Sequence, residues 1–121
     1  MDLELLHCGL SVCKLRGLAD FFPAGGFFFL ANTGDEISLV CPTVDVPEGT
    51  TAREDGWRAF RVAGTLDFSL VGVLSRLSAV LAEKEIGIFA VSTYDTDYIM
   101  VKAGDLERTV KALTDAGYRF V

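Results

Sequence analysis

The sequence predicts an α+β fold built from two tandem βαββαβ repeats, the first of which has an eroded first helix. The main observation is an ungapped internal repeat, in which four residues return 61 positions later: Phe28, Val40, Gly56 and Arg58 match Phe89, Val101, Gly117 and Arg119. Upstream, residues 17–21 resemble residues 64–68 at an offset of 47. The offsets differ by 14 residues, about four helical turns, so the first repeat lacks most of a helix. We place a degenerate repeat at residues 1–61 and a complete one at residues 62–121.

The first repeat begins with a strand and continues into a hairpin. Apolar residues alternate within residues 3–15 and predict a strand there. Residues 17–26 contain several turn formers, so we expect at most one helical turn. Short strands at 27–31 and 37–41 then flank a polar tip that tolerates positive φ angles.

The rest of the first repeat is polar until its last strand. Residues 42–55 are weakly helical, and Pro47 and Gly49 limit any helix to about two turns. Large and polar residues alternate over residues 57–62, which predicts a strand that belongs to both repeats.

The second repeat shows clearer periodicity. Residues 70–81 carry apolar side chains every three or four positions, which predicts a helix with one buried stripe: Leu70, Val73, Leu74, Leu77 and Leu81. Residues 86–93 predict a strand, residues 94–96 a hairpin tip and residues 97–102 the return strand.

A second helix and a short strand complete this repeat. Residues 105–116 predict a helix with Asp105 as N-cap, a Glu107–Lys111 pair and Gly117 as the stop signal. Its expected buried face consists of Leu106, Val110 and Leu113. Residues 118–121 predict a last strand, so the order is the βαββαβ order of ferredoxin-like folds.

Charge and composition exclude several classes of partner. The chain has 121 residues, half of them hydrophobic, which suffices for one compact domain or two small modules that share a core. Its net charge is −6 and its Lys and Arg residues are scattered, so we expect no nucleic acid partner and no binding to anionic membranes. Pro23, Gly25 and Gly26 interrupt the apolar run at 21–31, and no signal segment is recognised. A cytoplasmic location is expected.

Cysteine usage argues against a disulfide framework and a metal site. Cys8, Cys13 and Cys41 form an odd set, which indicates reduced and mostly buried thiols. The three lack the C-x2-C spacing of structural zinc sites, and His7 is the single histidine. We predict no metal and no cofactor.

Several motifs together resemble the ACT domain, a small-molecule-sensing module of amino-acid-metabolism enzymes. They are the segments 67–72 (DFSLVG) and 92–99 (STYDTDYI) in the second repeat, with 36–40 (EISLV) and 56–58 (GWR) in the first. The chain is most similar to short stand-alone proteins with two ACT-like repeats. Those in turn resemble the C-terminal ACT pairs of aspartate kinases and Castor-type arginine sensors. The resemblance implies a non-enzymatic regulatory protein with an amino acid bound in a cleft between the repeats.

A free amino acid needs an anion site close to a cation site. The start of the first helix in the second repeat would favour the ligand carboxylate, and Gly72 would leave room for it. The ammonium group could bind to Asp95 and Asp97 or to main-chain carbonyls at the end of the strand before them. The acidic pair would also suit a cationic side chain such as that of arginine. The expected ligand-binding residues are Asp67, Phe68, Ser69, Leu70, Gly72, Thr93, Tyr94, Asp95, Asp97 and Glu36, which mirrors Asp97 in the first repeat.

Each of these residues also has a structural interpretation. Asp67 or Ser69 could be an N-cap, and Asp95 and Thr96 could simply form the hairpin tip. Asp97 could be a solvated charge at a strand edge. No nucleophile–base triad or phosphate loop is recognised, so we expect no enzymatic activity. The alternative function is a module that has lost its ligand and pairs with another protein or with itself as a homodimer.

Overall fold

The computed structural model describes residues 1–21, 26–64 and 72–121. Eight strands and two α-helices lie in these ranges: β1 (Asp2–Leu5), β2 (Leu10–Leu15), β3 (Phe29–Asn32), β4 (Ile37–Pro42), β5 (Thr50–Val62), α1 (Val73–Glu83), β6 (Phe89–Ser92), β7 (Asp97–Lys102), α2 (Leu106–Asp115) and β8 (Arg119–Phe120). From β5 onward the order is βαββαβ, so the α+β, ferredoxin-like class is confirmed.

The chain divides into two compact units, and β5 contributes residues to both. The helical unit comprises Met1–His7 and Arg58–Val121, and the sheet unit comprises Cys8–Trp57. The predicted repeats at 1–61 and 62–121 describe a duplication in the sequence rather than these structural units. Their bounds stay a prediction.

In the helical unit, strands pair around β1 and β5. β1 is antiparallel to the end of β5, with Leu3 opposite Val62, and parallel to β8, with Leu3 opposite Phe120. β7 pairs with both β5 and β6. Both helices pack on this sheet, and the buried cluster they share with it consists of Leu3, Phe60, Val62, Val73, Leu77, Leu81, Ile86, Ile99, Val101, Ala112 and Leu113.

Both helices end in the same hydrogen-bonded motif. After α1 the amide of Ile86 donates to Leu81 O at 3.0 Å, and after α2 the amide of Tyr118 donates to Leu113 O at 3.0 Å. This bond is characteristic of a Schellman ending, in which the preceding residue adopts a left-handed conformation. Gly117 takes that position after α2, as predicted, and Glu85 takes it after α1.

In the sheet unit, β2 lies between β4 and the first part of β5 and is antiparallel to both. β3 pairs with β4. A small buried cluster of Cys13, Leu15, Leu39 and Cys41 forms its core, and Phe21, Ile37 and Val46 pack against it. Among the described residues of this unit, regular helix is limited to 3₁₀ turns at Leu18–Asp20 and Thr43–Asp45. This agrees with the predicted erosion of the first helix, and residues 22–25 of that segment lie outside the described residues.

The predicted element bounds need four corrections. Residues 3–15 form two strands, because the chain leaves the sheet between Leu5 and Leu10. The segment 42–55 contains one 3₁₀ turn rather than a helix, and from Thr50 it already belongs to β5. The strand predicted to start at residue 86 begins at Phe89. The helix predicted over 70–81 spans Val73–Glu83, and Leu70 lies outside the described residues.

The interactions predicted for α2 also need correction. Lys111 pairs with Asp115 at 2.9 Å rather than with Glu107. Asp105 occupies the N-cap position without a side-chain cap, because its carboxylate pairs with Arg108 at 3.1 Å. The residues of α2 that are buried are Thr109, Ala112 and Leu113, whereas Leu106 and Val110 are half-buried.

The two hairpins are equivalent at an offset of 60 residues rather than 61. In one, Thr33 N donates to Glu36 O at 3.1 Å, and in the other Thr93 N donates to Thr96 O at 2.9 Å. The buried residues agree with this offset, since Leu39–Cys41 correspond to Ile99–Val101. Glu36 is therefore the counterpart of Thr96, and the predicted match between Glu36 and Asp97 is wrong.

Candidate functional site

The tip of the β6–β7 hairpin is held by a set of short polar contacts. Thr93 donates twice to Thr96 O, from its amide at 2.9 Å and from Oγ1 at 3.0 Å. Ser92 Oγ donates to Asp97 Oδ1 at 2.6 Å across the mouth of the turn. Five side-chain and main-chain groups thus fix the turn that the sequence predicts at this position.

The tip presents an aromatic ring and two carboxylates. The side chain of Tyr94 is 81% exposed, and Asp95 is exposed as well. Asp97 is half-buried at the first position of β7. The structure therefore brings four predicted site residues together on one turn: Thr93, Tyr94, Asp95 and Asp97. Carboxylates in this arrangement can accept hydrogen bonds from an ammonium or guanidinium group.

Thr96 is buried although it lies in the tip. It is 4% exposed, and its Oγ1 donates to Val62 O, at the end of β5, at 2.8 Å. From the sequence, the expected role of Thr96 is confined to the turn. Its burial depends on a carbonyl 34 residues away, which no local pattern shows.

Gly72 directly precedes α1, where it is the N-cap with a φ of 80°. α1 thus begins at Val73, and Asp67 and Ser69, which were considered as N-caps, lie outside the described residues. A Cβ at Gly72 would approach Arg76 Nη1 to 2.8 Å. A larger residue at position 72 would be strained and would displace Arg76, so such a variant is a poor test of ligand binding.

A small cavity of about 250 Å³ lies beside the start of α1. Its lining consists of Met1, Val73, Arg76, Gly117 and Tyr118. Arg76, which is not among the residues predicted from the sequence, brings a guanidinium group to this position. Its proximity to Gly72 could have been suspected from the i,i+4 spacing.

Six predicted residues do not lie on this hairpin tip, and one of them is Gly72, which precedes α1. Four of them lie outside the described residues: Asp67, Phe68, Ser69 and Leu70. Glu36 lies at the tip of the β3–β4 hairpin in the sheet unit, where its side chain accepts a hydrogen bond from Ser38 Oγ. A ligand-binding role stays a prediction for all ten residues.

A second polar cluster lies in the sheet unit. Ser11, which is fully buried, donates to Asp55 Oδ1 at 2.5 Å and contacts Thr43 Oγ1 at 2.9 Å. Arg53 pairs with the same carboxylate at 3.0 Å. The hydrogen bond from Ser11 lowers the pKa of Asp55, with a further contribution from Arg53. Each polar group has a partner, so this cluster is a structural network.

The three cysteines are free thiols, and two of them lie in environments that favour the protonated form. Cys13 and Cys41 are buried, and Cys8 is half-buried. Burial raises the pKa of Cys41 to about 11, and burial likewise raises the pKa of Cys13. Because the thiolate is the reactive species, these two cysteines are unsuited to nucleophilic chemistry at neutral pH.

The described ranges contain neither a candidate metal cluster nor a candidate membrane-spanning helix. Residues 1–21, 26–64 and 72–121 contain no group of three or more His, Cys, Asp or Glu residues placed to hold a metal ion. In the same ranges, neither α-helix has the length and apolar character needed to span a bilayer.

Comparison with known proteins gives a family and a set of similar folds. A sequence profile described as the ACT domain matches residues 52–115. Protein Atu0741 from Agobacterium tumefaciens is 31% identical, covering 99% of this chain and 91% of its own, with a TM-score of 0.86. No curated protein matches the sequence.

Two further solved structures are similar in fold. The protein of unknown function VC0802 from Vibrio cholerae is 19% identical, with 94% of this chain and 88% of its own aligned and a TM-score of 0.73. The ligand-free regulatory subunit of aspartate kinase from Thermus thermophilus is 10% identical, with 95% and 96% aligned and a TM-score of 0.68.

Proposed function

This chain belongs to the ACT domain family, and we propose that it is a non-enzymatic regulatory protein that binds a free amino acid. ACT domains are typically regulatory and bind amino acids. One of the similar folds is named as a regulatory subunit of aspartate kinase. The main observation in support of the proposal is the hairpin tip of the helical unit, which hydrogen bonds hold in place. Asp95 and Asp97 lie two residues apart on this tip.

The charges of the tip favour a cationic amino acid as the ligand. Asp95 and Asp97 would receive the cationic side chain, because carboxylates bind guanidinium and ammonium groups through charge-assisted hydrogen bonds. The ligand carboxylate would bind near the start of α1, where Gly72 offers no side-chain cap and Arg76 supplies a positive charge. The cleft between the two repeats stays a prediction from the sequence.

The first experiment measures the melting temperature of the protein with each of the twenty standard amino acids. A ligand present at 100 times its dissociation constant adds about 2.7 kcal/mol to the folded state. For a domain of this size that corresponds to a rise on the order of 10 °C. We expect a selective rise with arginine or lysine, and no rise with any of the twenty would contradict the proposal.

A matched pair of variants locates the site. Asp95→Asn combined with Asp97→Asn should abolish the rise, because the carboxylates lose their charge while their size is kept. Asp35→Asn changes the residue equivalent to Asp95 in the other hairpin and should leave the rise unchanged. If the ligand raises the melting temperature equally in both variants, the binding site does not lie at the β6–β7 tip.

The alternative function, a protein-interaction module, has one specific observation in its favour. Among its described residues, the sheet unit exposes four large apolar side chains: Leu18 at 49%, Phe28 at 36%, Leu30 at 39% and Val44 at 92%. Leu30 lies on β3, whose pairing among the described strands is with β4. Analytical ultracentrifugation of the wild type and of Leu30→Lys tests this function. A dimer that the substitution dissociates would favour it over ligand binding.

A further inference from the structure

One buried side chain joins the proposed ligand-binding turn to the rest of the helical unit. Thr96 is 4% exposed, and its Oγ1 donates to Val62 O at 2.8 Å. Its neighbour in the turn, Asp95, is exposed, as expected for a hairpin tip. A buried hydroxyl is costly unless it is hydrogen-bonded, so this bond ties the turn to the end of β5.

Thr96 makes two different connections. Its main-chain carbonyl accepts both bonds from Thr93 and thereby closes the turn. Its side chain attaches the closed turn to Val62, the last residue of β5. The chain then continues from β5 toward Gly72, so the strand that holds the turn is also the strand that leads to the start of α1.

In the β3–β4 hairpin, the residue equivalent to Thr96 makes the first of these connections, whereas its side chain bonds within the hairpin. At the equivalent position, Glu36 O accepts from Thr33 N at 3.1 Å and from Thr33 Oγ1 at 3.4 Å, which closes the turn in the same way. The Glu36 side chain is exposed and bonds to Ser38. Closure of the turn therefore does not require a threonine at this position, and the hydroxyl of Thr96 serves the attachment to β5.

We propose that Thr96 is a positioning residue: its bond to Val62 holds the Thr93–Asp97 turn in the geometry that binds an amino acid. The inference rests on the proposed function. It does not require Thr96 to touch the ligand, because the buried hydroxyl is already committed to the protein. The proposal explains why a polar side chain is buried in a turn whose closing hydrogen bonds do not need that side chain.

Thr109 provides a matched control for the main variant. It is also fully buried in the helical unit, and its Oγ1 donates to a main-chain carbonyl, that of Asp105, at 2.8 Å. Thr96→Val and Thr109→Val therefore remove the same kind of bond while keeping the side-chain shape. Thr96→Glu introduces the residue of the other hairpin, and Thr96→Ser retains the hydroxyl.

The experiment combines amide hydrogen exchange with calorimetric titration of each standard amino acid. We expect Thr96→Val and Thr96→Glu to increase exchange of the Thr93 amide about tenfold more than global destabilisation accounts for, as for the loss of one well-formed hydrogen bond. The dissociation constant should rise by a similar factor. Thr96→Ser should restore both values, and Thr109→Val should change global stability alone.

Three outcomes would overturn the inference or its premise. If Thr93 exchange in Thr96→Val and Thr96→Glu follows global stability as in Thr109→Val, the attachment to Val62 does not hold the turn. If exchange rises while the affinity is unchanged, Thr96 does not position the site. If the wild type binds none of the amino acids, the proposed function is wrong, whereas exchange at Thr93 still decides whether Thr96 fixes the turn.

Discussion

Each helix ends at a residue in the left-handed conformation, and the two residues differ in the conformational free energy that this backbone geometry costs. Glu85 has a φ of 58° and Gly117 a φ of 99°. A residue with a Cβ is disfavoured in this region by roughly 1–2 kcal/mol, whereas glycine adopts it readily. The same motif is therefore strained after α1 and relaxed after α2.

Glu85→Gly should raise the free energy of unfolding by about 0.5–1 kcal/mol, because the strain removed exceeds the entropy gained by the unfolded chain. Gly117→Ala should lower it by about 1 kcal/mol, and no atom within 4 Å of the new Cβ would add a packing term. Urea denaturation of both variants measures the two changes. A destabilised Glu85→Gly variant would show that the glutamate side chain outweighs its backbone strain.

The pH dependence of stability offers a test of the Ser11–Asp55 network. The pKa of Asp55 is lowered in the folded state, first by the hydrogen bond from Ser11 and then by Arg53. A carboxyl whose folded pKa lies below the unfolded value near 3.9 contributes stability above that pH. This contribution is lost as the pH falls through the folded pKa.

Asp55→Asn should therefore flatten the fall in stability below about pH 4, since the amide does not titrate. Ser11→Ala should flatten it partly, because Arg53 still lowers the pKa of Asp55. Urea denaturation between pH 7 and pH 2.5 compares both variants with the wild type. An unchanged acid limb in Asp55→Asn would show that other carboxyl groups dominate acid unfolding.

At the scale of elements, the hairpins were the best predicted parts of the fold. Polar tips between short apolar runs are local signals, and both tips fall where the sequence places them. The repeat offset was misjudged by one residue across them, although identities at offset 60 were available: Phe29/Phe89, Thr33/Thr93, Asp35/Asp95 and Asp45/Asp105. Strand bounds in residues 3–15 and 50–55 depend on distant partners, so local periodicity could not fix them.

In the candidate site, as in the hairpins, the features that depend on local sequence could be predicted and those that depend on distant residues could not. Thr93, Tyr94, Asp95 and Asp97 form one turn because turn chemistry is encoded within a few residues. The burial of Thr96 was not predictable, because it depends on a long-range bond to Val62. The position of Gly72 before α1 rather than inside it reflects the usual uncertainty of helix ends in sequence patterns.

The equivalent hairpins also permit a prediction about local stability. β4 and β7 have the same length and bury the same three positions. β7 belongs to the unit whose buried cluster includes residues of both helices, whereas the described cluster around β4 is much smaller. Opening the sheet unit therefore exposes less apolar surface and costs less free energy.

Amide exchange should accordingly be faster at Leu39 in β4 than at Ile99 in β7. Both residues are fully buried, and each faces a residue of the preceding strand, so the comparison isolates the surrounding core. Native-state hydrogen exchange resolved by residue gives the two opening free energies. Equal protection would show that the two cores open in one cooperative step.

At the scale of the whole molecule, the first and last strands are neighbours in the helical unit. The amide of Arg119 donates to Met1 O at 3.1 Å, and the amide of Val121 donates to Leu3 O at 2.8 Å. Arg119 also forms an ion pair with Asp2 at 2.8 Å, and its hydrogen bond lowers the pKa of Asp2. Both charged groups are exposed to solvent, which screens such a pair.

The two strands should therefore be held together by main-chain bonds and apolar packing rather than by the ion pair. Arg119→Gln should lower stability at pH 7 only slightly, because solvent screens the ion pair, and this small loss should vanish as the pH falls through the lowered pKa of Asp2, where the carboxyl becomes protonated. Phe120→Ala should lower stability by about 2 kcal/mol, because the ring packs on the core 5.6 Å from Phe60. Urea denaturation ranks the variants, and a larger loss in Arg119→Gln would make the ion pair the principal link.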